Sequence, residues 1–527
     1  MREKILNALK KEIPEAVDIA LTVPDNDAFG HYSTNVAFQL ARMRKQSPQA
    51  AAEALCRALS ANPLFAGVDV AGGGFLNFTL ASRVFTDELR VILKKKGKYG
   101  ITKPRLFGAK KIQIEFISAN PTGPLTLANG RGGFLGDALA SILEAAGNKV
   151  EREYYVNDTG NQVRTLGKSI LAAAGIIPYE ETFYQGEYIK EWADAHKALV
   201  AEHKENPERL GEKAAEYFLG LIKRTVEEKS GIRFDRYTSE RNDIHAKGFT
   251  DKALALFKKN KATYEQDGAV WLATTRFGDD KDRVLVTSEK QPTYFLADAG
   301  HYLETKKRGF TAKINILGPD HYGYMRRIQA AAGIVGLSES KVIITQAVRL
   351  MQNGEEVKMS KRRGSFVTFE ELVDEIGMDS ARFFFLMISP DTHMDFDLGL
   401  AKDRSLKNPV FYAQYAYVRA LNILRKTERA KGKSDLSLLA TKEDERLMKL
   451  LAEFPDMIAD TARDYAVHRM TRYALECAKA FHAFYEKERV EGEKEELLLA
   501  RRALVEATHT VLSSLFSLLG VSLPERM

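Results

Sequence analysis

From Lys110 to Ile117, Ile112, Ile114 and Phe116 alternate with Gln113 and Glu115, a period of two that predicts a β-strand. A loop rich in proline and glycine ends it. From Gly133 the period changes to that of a helix: Phe134, Leu135, Ala138, Leu139 and Ile142 fall on one face, and Gly147 is placed to stop it before a second strand through Tyr154 and Val156. Strand, helix and strand read as a βαβ unit. Such units build open parallel sheets whose ligands sit at the carboxyl ends of the strands, which is where the loop between Ile117 and Gly133 falls.

The same patterning divides the rest of the chain. Residues 1–100 open with helices, contain VPDNDAFGHYSTN and GGGFLNFTL, and predict a small α/β domain. The basic stretch KKKGKYG and Pro104 read as a linker into a main domain over 101–398. A helical, Lys- and Glu-rich insertion is expected from about 165 to 265. Beyond 399 the apolar spacing is helical almost to residue 527, with breaks near Gly432 and Gly492, which predicts a closing helical bundle.

Composition narrows the class. At 527 residues the chain is long enough for several cores, and 28% charged with 45% hydrophobic residues is ordinary globular composition with no membrane-length apolar run. The N-terminus places Ile5, Leu6, Leu9 and Ile13 at helical spacing among lysines, an amphipathic helix and not a cleavable signal. Only Cys56 and Cys477 are present, which excludes a disulfide framework or a Cys-rich zinc site and makes the cytoplasm the expected compartment. A net charge of +7 is compatible with a nucleic-acid partner without requiring one.

Two segments carry candidate chemistry. The first loop, SANPTGPLTLANGRGGFLG, precedes a helix whose free N–H groups and positive dipole end attract phosphate, although its glycines also suit a plain tight connection. It is not a dinucleotide fingerprint, since Gly130 and Gly132 would require a third glycine where Leu135 stands. Gly167-Lys168-Ser169 imitates the end of a P-loop, but Gln162 stands where its leading glycine belongs. The second segment, VKMSKRRGSF, gathers Lys358, Lys361, Arg362 and Arg363 beside Gly364. Either a solvated face or a phosphate-neutralising cluster fits that run.

The pair PTGPLTLANGRGG and KMSKRRG resembles the HIGH and KMSKS signatures of class I aminoacyl-tRNA synthetases. FGHYSTNVA, IEFISANPTGPL, EYYVNDTGNQ, FGDDKDRVLV, TYFLADAGHY, LGPDHYGY, NPVFYAQYAYVRA and the terminal LPERM are similar to arginyl-tRNA synthetases across nearly the whole chain. The resemblance implies a Rossmann-like parallel sheet between the small N-terminal domain, for tRNA recognition, and a C-terminal all-α anticodon-binding bundle. It implies activation of L-arginine by ATP, with Mg2+ accompanying ATP, and transfer to the 3′-terminal adenosine of tRNA(Arg). No membrane is involved and a monomer is expected.

Residue by residue, the resemblance implies that Tyr294 and Asp298 meet the arginine side chain, a spacing of four that shares one helical face. A planar guanidinium needs such acceptors. Glu115, Ser118 and Asn120 would meet the substrate backbone. Pro121, Gly123, Gly130, His321, Met359 and Ser360 would contact ATP, and Lys358, Lys361, Thr126 and Asn129 would assist the chemistry. Tyr415, Tyr417 and Arg419 combine stacking surface and charge as single-stranded RNA readers do, although their rings are as compatible with a core. The departure from the family lies in the first motif, where its two histidines are replaced by Thr126 and Asn129 and its glycine by Ala128. A hydroxyl and a carboxamide donate hydrogen bonds but carry no imidazolium charge. The rival reading is a non-catalytic tRNA-binding paralogue.

Overall fold

The computed structural model describes all residues except 25, 103–109, 358–367 and 431, and the side chain of Asp27. Near the N-terminus β1 (Tyr32–Thr34), β2 (Phe65–Ala71) and β3 (Phe75–Leu80) form an antiparallel sheet in the order β1-β3-β2. Helices Val36–Arg44 and Pro48–Ser60 pack on this sheet and helix Ser82–Lys95 follows it.

The central sheet contains β4 (Lys111–Glu115), β5 (Lys149–Val156), β6 (Arg236–Ser239), and then β10 (Ala312–Leu317) and β11 (Lys341–Ile344). Between these groups lies a small antiparallel sheet of β7 (Thr263–Gln266), β8 (Ala269–Leu272) and β9 (Arg283–Val286). The central order is β11-β10-β4-β5-β6, with every neighbouring pair parallel. Numbered by appearance this is 3-2-1-4-5, the doubly wound order whose switch point lies between the first and fourth strands. Here those strands are β4 and β10.

The helix after β4 runs over Leu127–Ala145, starting earlier than the apolar periodicity predicts. Thr126 caps it: its hydroxyl and backbone N–H both donate to Asn129 Oδ1, at 2.8 and 2.9 Å. Gly130, Gly132 and Gly133 therefore belong to the helix and not to the loop. Gly136 lets this helix lie against the sheet, because a methyl group there would fall 2.3 Å from the Phe116 ring.

Two expectations change. The helical insertion does not extend to 265: its helices Asn161–Ala173, Glu187–Ala195, Lys197–Glu202 and Pro207–Arg224 have their own core around Leu166, Trp192 and Phe218, but β6 follows as the sheet's edge strand. Gly167 belongs to a helix crossing, where a methyl group would meet Pro207 O at 1.7 Å. Nor is KKKGKYG a bare linker. Lys94 and Lys95 finish a helix, and Tyr99 is buried with its hydroxyl donating to Ala452 O at 3.4 Å. An aromatic anchor outweighs the local lysine repulsion.

Beyond the central sheet, β12 (Val348–Gln352), β13 (Glu355–Glu356) and β14 (Met394–Asp397) form a small mixed sheet. Helices Pro409–Lys426, Lys442–Asp464, His468–Lys487 and Glu495–Leu519 make the closing bundle. The N-terminal segment docks on it: the Met1 ammonium lies 3.4 Å from Asp456, and Arg2 pairs with Asp460. Contacts of this kind cannot be read from local periodicity.

Candidate functional site

The floor of the site is a set of polar residues on one face of the sheet. Strand register aligns Glu151, Gln113 and Lys313 in one row across β5, β4 and β10, and Glu153, Glu115 and Asn315 in the next. Gln113 and Glu115 do share a face, as their alternation predicts, but that face is buried. Helix Tyr294–Lys307 covers it and contributes His301, Tyr302 and Thr305.

Because unpaired buried charge is costly, the polar atoms compensate one another. Lys313 Nζ lies 2.6 Å from Gln113 Oε1, 2.8 Å from Glu153 Oε2 and 3.1 Å from Glu115 Oε2. Asn315 Nδ2 donates to Glu115 Oε2 at 2.7 Å. His301 stacks on Tyr155 with ring centroids 4.3 Å apart. Burial works to raise the Glu153 carboxyl, but Lys313 and His301 beside it hold it well below its ordinary value. Burial likewise opposes the charge on Lys313, yet Glu153 and Glu115 keep its pKa raised. Glu153 and Lys313 are therefore both charged at neutral pH. Ligand atoms of Glu115, Glu153 and His301 lie within 4.8 Å of one another, as a metal site would need, but the Lys313 ammonium already sits against each residue.

At the end of β4 the chain turns through Ile117 and Ser118, both with positive φ, 64° and 38°. Two successive non-glycine residues in the left-handed region are strained, and such strain collects at functional sites. The turn is held by its neighbours: Tyr155 N donates to Ser118 Oγ at 3.1 Å and the Tyr154 hydroxyl to Ala119 O at 2.7 Å. Asn120 is exposed just beyond, and Pro121 is buried. Gly123 lies under the insertion, since a methyl group there would fall 2.8 Å from the Tyr188 ring.

Tyr294 and Asp298 occupy the first turns of the covering helix, Tyr294 largely exposed with its hydroxyl over Gly160. The Tyr324 hydroxyl donates to Asp298 Oδ2. Burial pushes the Asp298 carboxyl up to about 7; the Tyr324 bond opposes this shift, and Glu115 and Glu240 reinforce it. The residue keeps some accessible surface although its carboxylate is closely surrounded, as at the bottom of a cleft. His321 lies exposed in the short turn Pro319–Tyr324 after β10, its Nε2 3.5 Å from Asp320 Oδ2.

The side of the first motif is different in character. Thr126 and Asn129 spend their mutual hydrogen bonds on the helix cap, leaving Asn129 Nδ2 without a partner among the described residues. Gly130 makes room for Phe369: a methyl group there would fall 2.2 Å from that ring, so its close contact is with protein. Phe369 N donates to Leu125 O at 2.9 Å, and Thr368 bridges to Thr126. The chain just after the second motif is thus fastened to the first. Lys358, Met359, Ser360 and Lys361 themselves lie outside the described residues.

On the closing bundle, Arg419 donates to the Tyr415 hydroxyl at 2.6 Å and stacks against Tyr485 as well. Tyr417 corrects the expectation of an RNA-facing triplet. Two residues from Tyr415 on a helix it points elsewhere, is 7% exposed, and stacks on His509 in the core.

The sequence reading missed Lys313, Glu153, His301, Asn315 and Tyr324. One signal was present: polar residues two apart in three strand-like runs, QIE, EREY and KIN, which a common sheet brings into one cluster.

A doubly wound parallel sheet with a capped helix N-terminus at its switch point and a helical bundle after it is the architecture of a class I aminoacyl-tRNA synthetase, and the sequence comparisons place the chain in that class. The family profile for the catalytic domain of tRNA synthetases class I (R) matches residues 88–384. Those for the arginyl tRNA synthetase N terminal domain and the DALR anticodon binding domain match 1–80 and 413–527. The arginine–tRNA ligase of Geobacillus thermodenitrificans is 41% identical, the alignment covering 100% of this chain and 98% of that one. That of Bacillus licheniformis is 39% identical over 100% and 99%. The arginyl-tRNA synthetase structure from Thermus thermophilus superposes with a TM-score of 0.81 at 23% identity, covering 100% of both chains, which is a likeness of fold. The chain belongs to the arginyl-tRNA synthetases.

Proposed function

We infer that this protein joins L-arginine to tRNA(Arg) in two steps: the arginine carboxylate attacks the α-phosphate of ATP, and the 3′-terminal ribose of the tRNA then takes the aminoacyl group. The observation that carries this reading is Asp298, a half-buried residue whose closely surrounded carboxyl lies near Glu115 at the sheet's switch point. A cleft with acidic groups at two places fits a substrate with a guanidinium at one end and an ammonium at the other.

In this reading Tyr294 and Asp298 take the guanidinium, and Glu115, Ser118 and Asn120 take the backbone of arginine. Pro121, Gly123, His321, Met359 and Ser360 surround ATP, while Gly130 acts by admitting Phe369. The helix N-terminus and Asn129 donate to phosphate, Thr126 holds Asn129 in place, and Lys358 and Lys361 neutralise the departing pyrophosphate, with Mg2+ riding on the nucleotide. Tyr415 and Arg419 offer a stacking surface to tRNA. The proposed units are 1–100, 101–398 and 399–527.

Among the described residues no helix is long and apolar enough to cross a membrane; the proposal is of a cytoplasmic enzyme acting as a monomer. The rival, a non-catalytic tRNA-binding protein, gains no support from relatives that are ligases by name. Arginine-dependent ATP–pyrophosphate exchange, measured with and without tRNA, tests the choice. Exchange above background in either condition is expected; none in both, with tRNA still bound, would favour the rival.

A further inference from the structure

We propose that Lys313 is a positioning residue for the amino-acid pocket: anchored by Glu153 and Gln113, its ammonium pins one oxygen of Glu115 and so aims the other at the α-ammonium of the substrate. This rests on the reading of Glu115 as the partner of that ammonium.

The geometry is asymmetric in the required way. Both close contacts of Glu115, from Asn315 Nδ2 at 2.7 Å and Lys313 Nζ at 3.1 Å, fall on Oε2. Oε1 accepts no hydrogen bond from a described residue, and the side chain keeps 9% of its surface open. The anchor is complete on the far side. Lys313 Nζ is enclosed by Glu153 Oε2, Gln113 Oε1, Glu115 Oε2 and His301 Nε2, partners enough for its three protons. Gln113 is fixed in turn, donating to Glu151 Oε1 at 3.0 Å and accepting from the Thr305 hydroxyl at 2.8 Å. Asn315 Oδ1 accepts in turn from the Tyr302 hydroxyl.

Charge points the same way. Glu115 and Glu153 share the Lys313 ammonium, and Glu153, with no exposed surface, lies nearer to it, 2.8 Å against 3.1 Å, and also holds His301 Nε2 at 3.0 Å. Glu115 is left with one oxygen, Oε1, that no described residue engages, the condition for receiving a donor from the substrate. A carboxylate free to rotate would spend part of its binding energy on ordering itself; one held by two donors does not.

Lys313→Met alone would strand Glu153 as a buried unpaired charge, so the test pairs it with Glu153→Gln and uses Glu153→Gln alone as reference. The readouts are the KM for arginine, the KM for ATP, and inhibition by 5-guanidinopentanoate, which keeps the guanidinium and carboxylate of arginine but lacks its α-ammonium. Relative to the reference, the paired variant is expected to raise the KM for arginine roughly tenfold or more. The KM for ATP and the inhibition constant of the analogue should stay unchanged. Equal weakening of arginine and analogue, or no change in either, would overturn the proposal. Should the methionine pair fail to fold, Lys313→Gln with Glu153→Gln keeps a buried donor, drops the charge, and is read by the same criteria. Glu115→Gln in the otherwise unaltered protein separates the two layers. If it leaves the preference for arginine over the analogue intact, the reading of Glu115 fails; if it narrows that preference and the Lys313 variants do not, only the role of Lys313 falls.

Discussion

At the end of the site assigned to arginine, Glu115 and Glu153 flank the buried ammonium of Lys313, and Asp298 is close enough to Glu115 and Glu240 for their charge to help raise its carboxyl. At the nucleotide end, the helix Leu127–Ala145 presents a neutral cap made by Thr126 and Asn129, and a glycine filled by Phe369. The first region is specified by charges that the fold holds in place. In the proposed reading the second relies on a helix dipole, an amide and cations from the second motif. Discrimination of a guanidinium demands a fixed acceptor at a fixed place, because a misplaced buried charge costs several kcal/mol. Phosphate is a diffuse anion that many donors satisfy, so the residues at this end tolerate replacement provided the backbone keeps its course.

The comparison is broken most severely at Asp298. Asp298→Ala should remove about 3–5 kcal/mol from transition-state binding of arginine, measured as kcat/KM, with the KM for ATP little changed. Near-normal kcat/KM would take Asp298 out of the pocket. At the other end, Asn129→Asp keeps the acceptor of the capping box but turns the free amide into an anion facing phosphate. Exchange should slow by about 2.7–4 kcal/mol, the scale of losing one preorganised donor, while the melting temperature holds. An unchanged rate would confine Asn129 to capping.

A smaller effect tests how the two motifs are fastened. Gly130→Ala would drive a methyl group into Phe369, whose ring is fully buried and packed edge-on to Phe134 at 5.4 Å, so it has little room to yield. A loss of about 1–3 kcal/mol in stability, with slower exchange, is expected, and Phe369→Leu should recover part of both. Absence of rescue would show that Gly130 acts by approaching ligand.

The smallest effect sharpens the contrast through pH. Burial raises the Asp298 carboxyl to about 7 from an ordinary value of 3.8, so below that pH it is protonated and cannot pair with a guanidinium. Arginine affinity should therefore rise with pH, about tenfold between pH 6 and 8, while ATP affinity shows no matching transition. For folding the sign is reversed. Between about 4 and 7 the folded state binds more protons at Asp298 than the unfolded chain does, so without arginine this group's contribution to stability falls as pH rises. A flat arginine profile would mean that the carboxylate is ionised throughout.

The sequence by itself determined the βαβ unit, the parallel sheet, the closing helical bundle and the two signature segments. Each is written in short-range terms: a period of two in Ile112, Ile114 and Phe116, a helical face after Gly133, and glycines at Gly147 and Gly492 in the connections that follow helices. It also placed Tyr294 and Asp298 on one helix, since four residues make about one turn. Only the tertiary structure decided what the polar half of that alternation does. Gln113 and Glu115 would face water in an isolated strand pair; strands 200 residues apart in sequence and a covering helix bury them against Lys313, Asn315 and His301 instead. The same holds for Tyr417, packed inward on His509, and Gly130, filled by Phe369. Local periodicity records which residues share a face; which body covers that face depends on contacts between distant segments, and in this site those contacts set both charge and geometry.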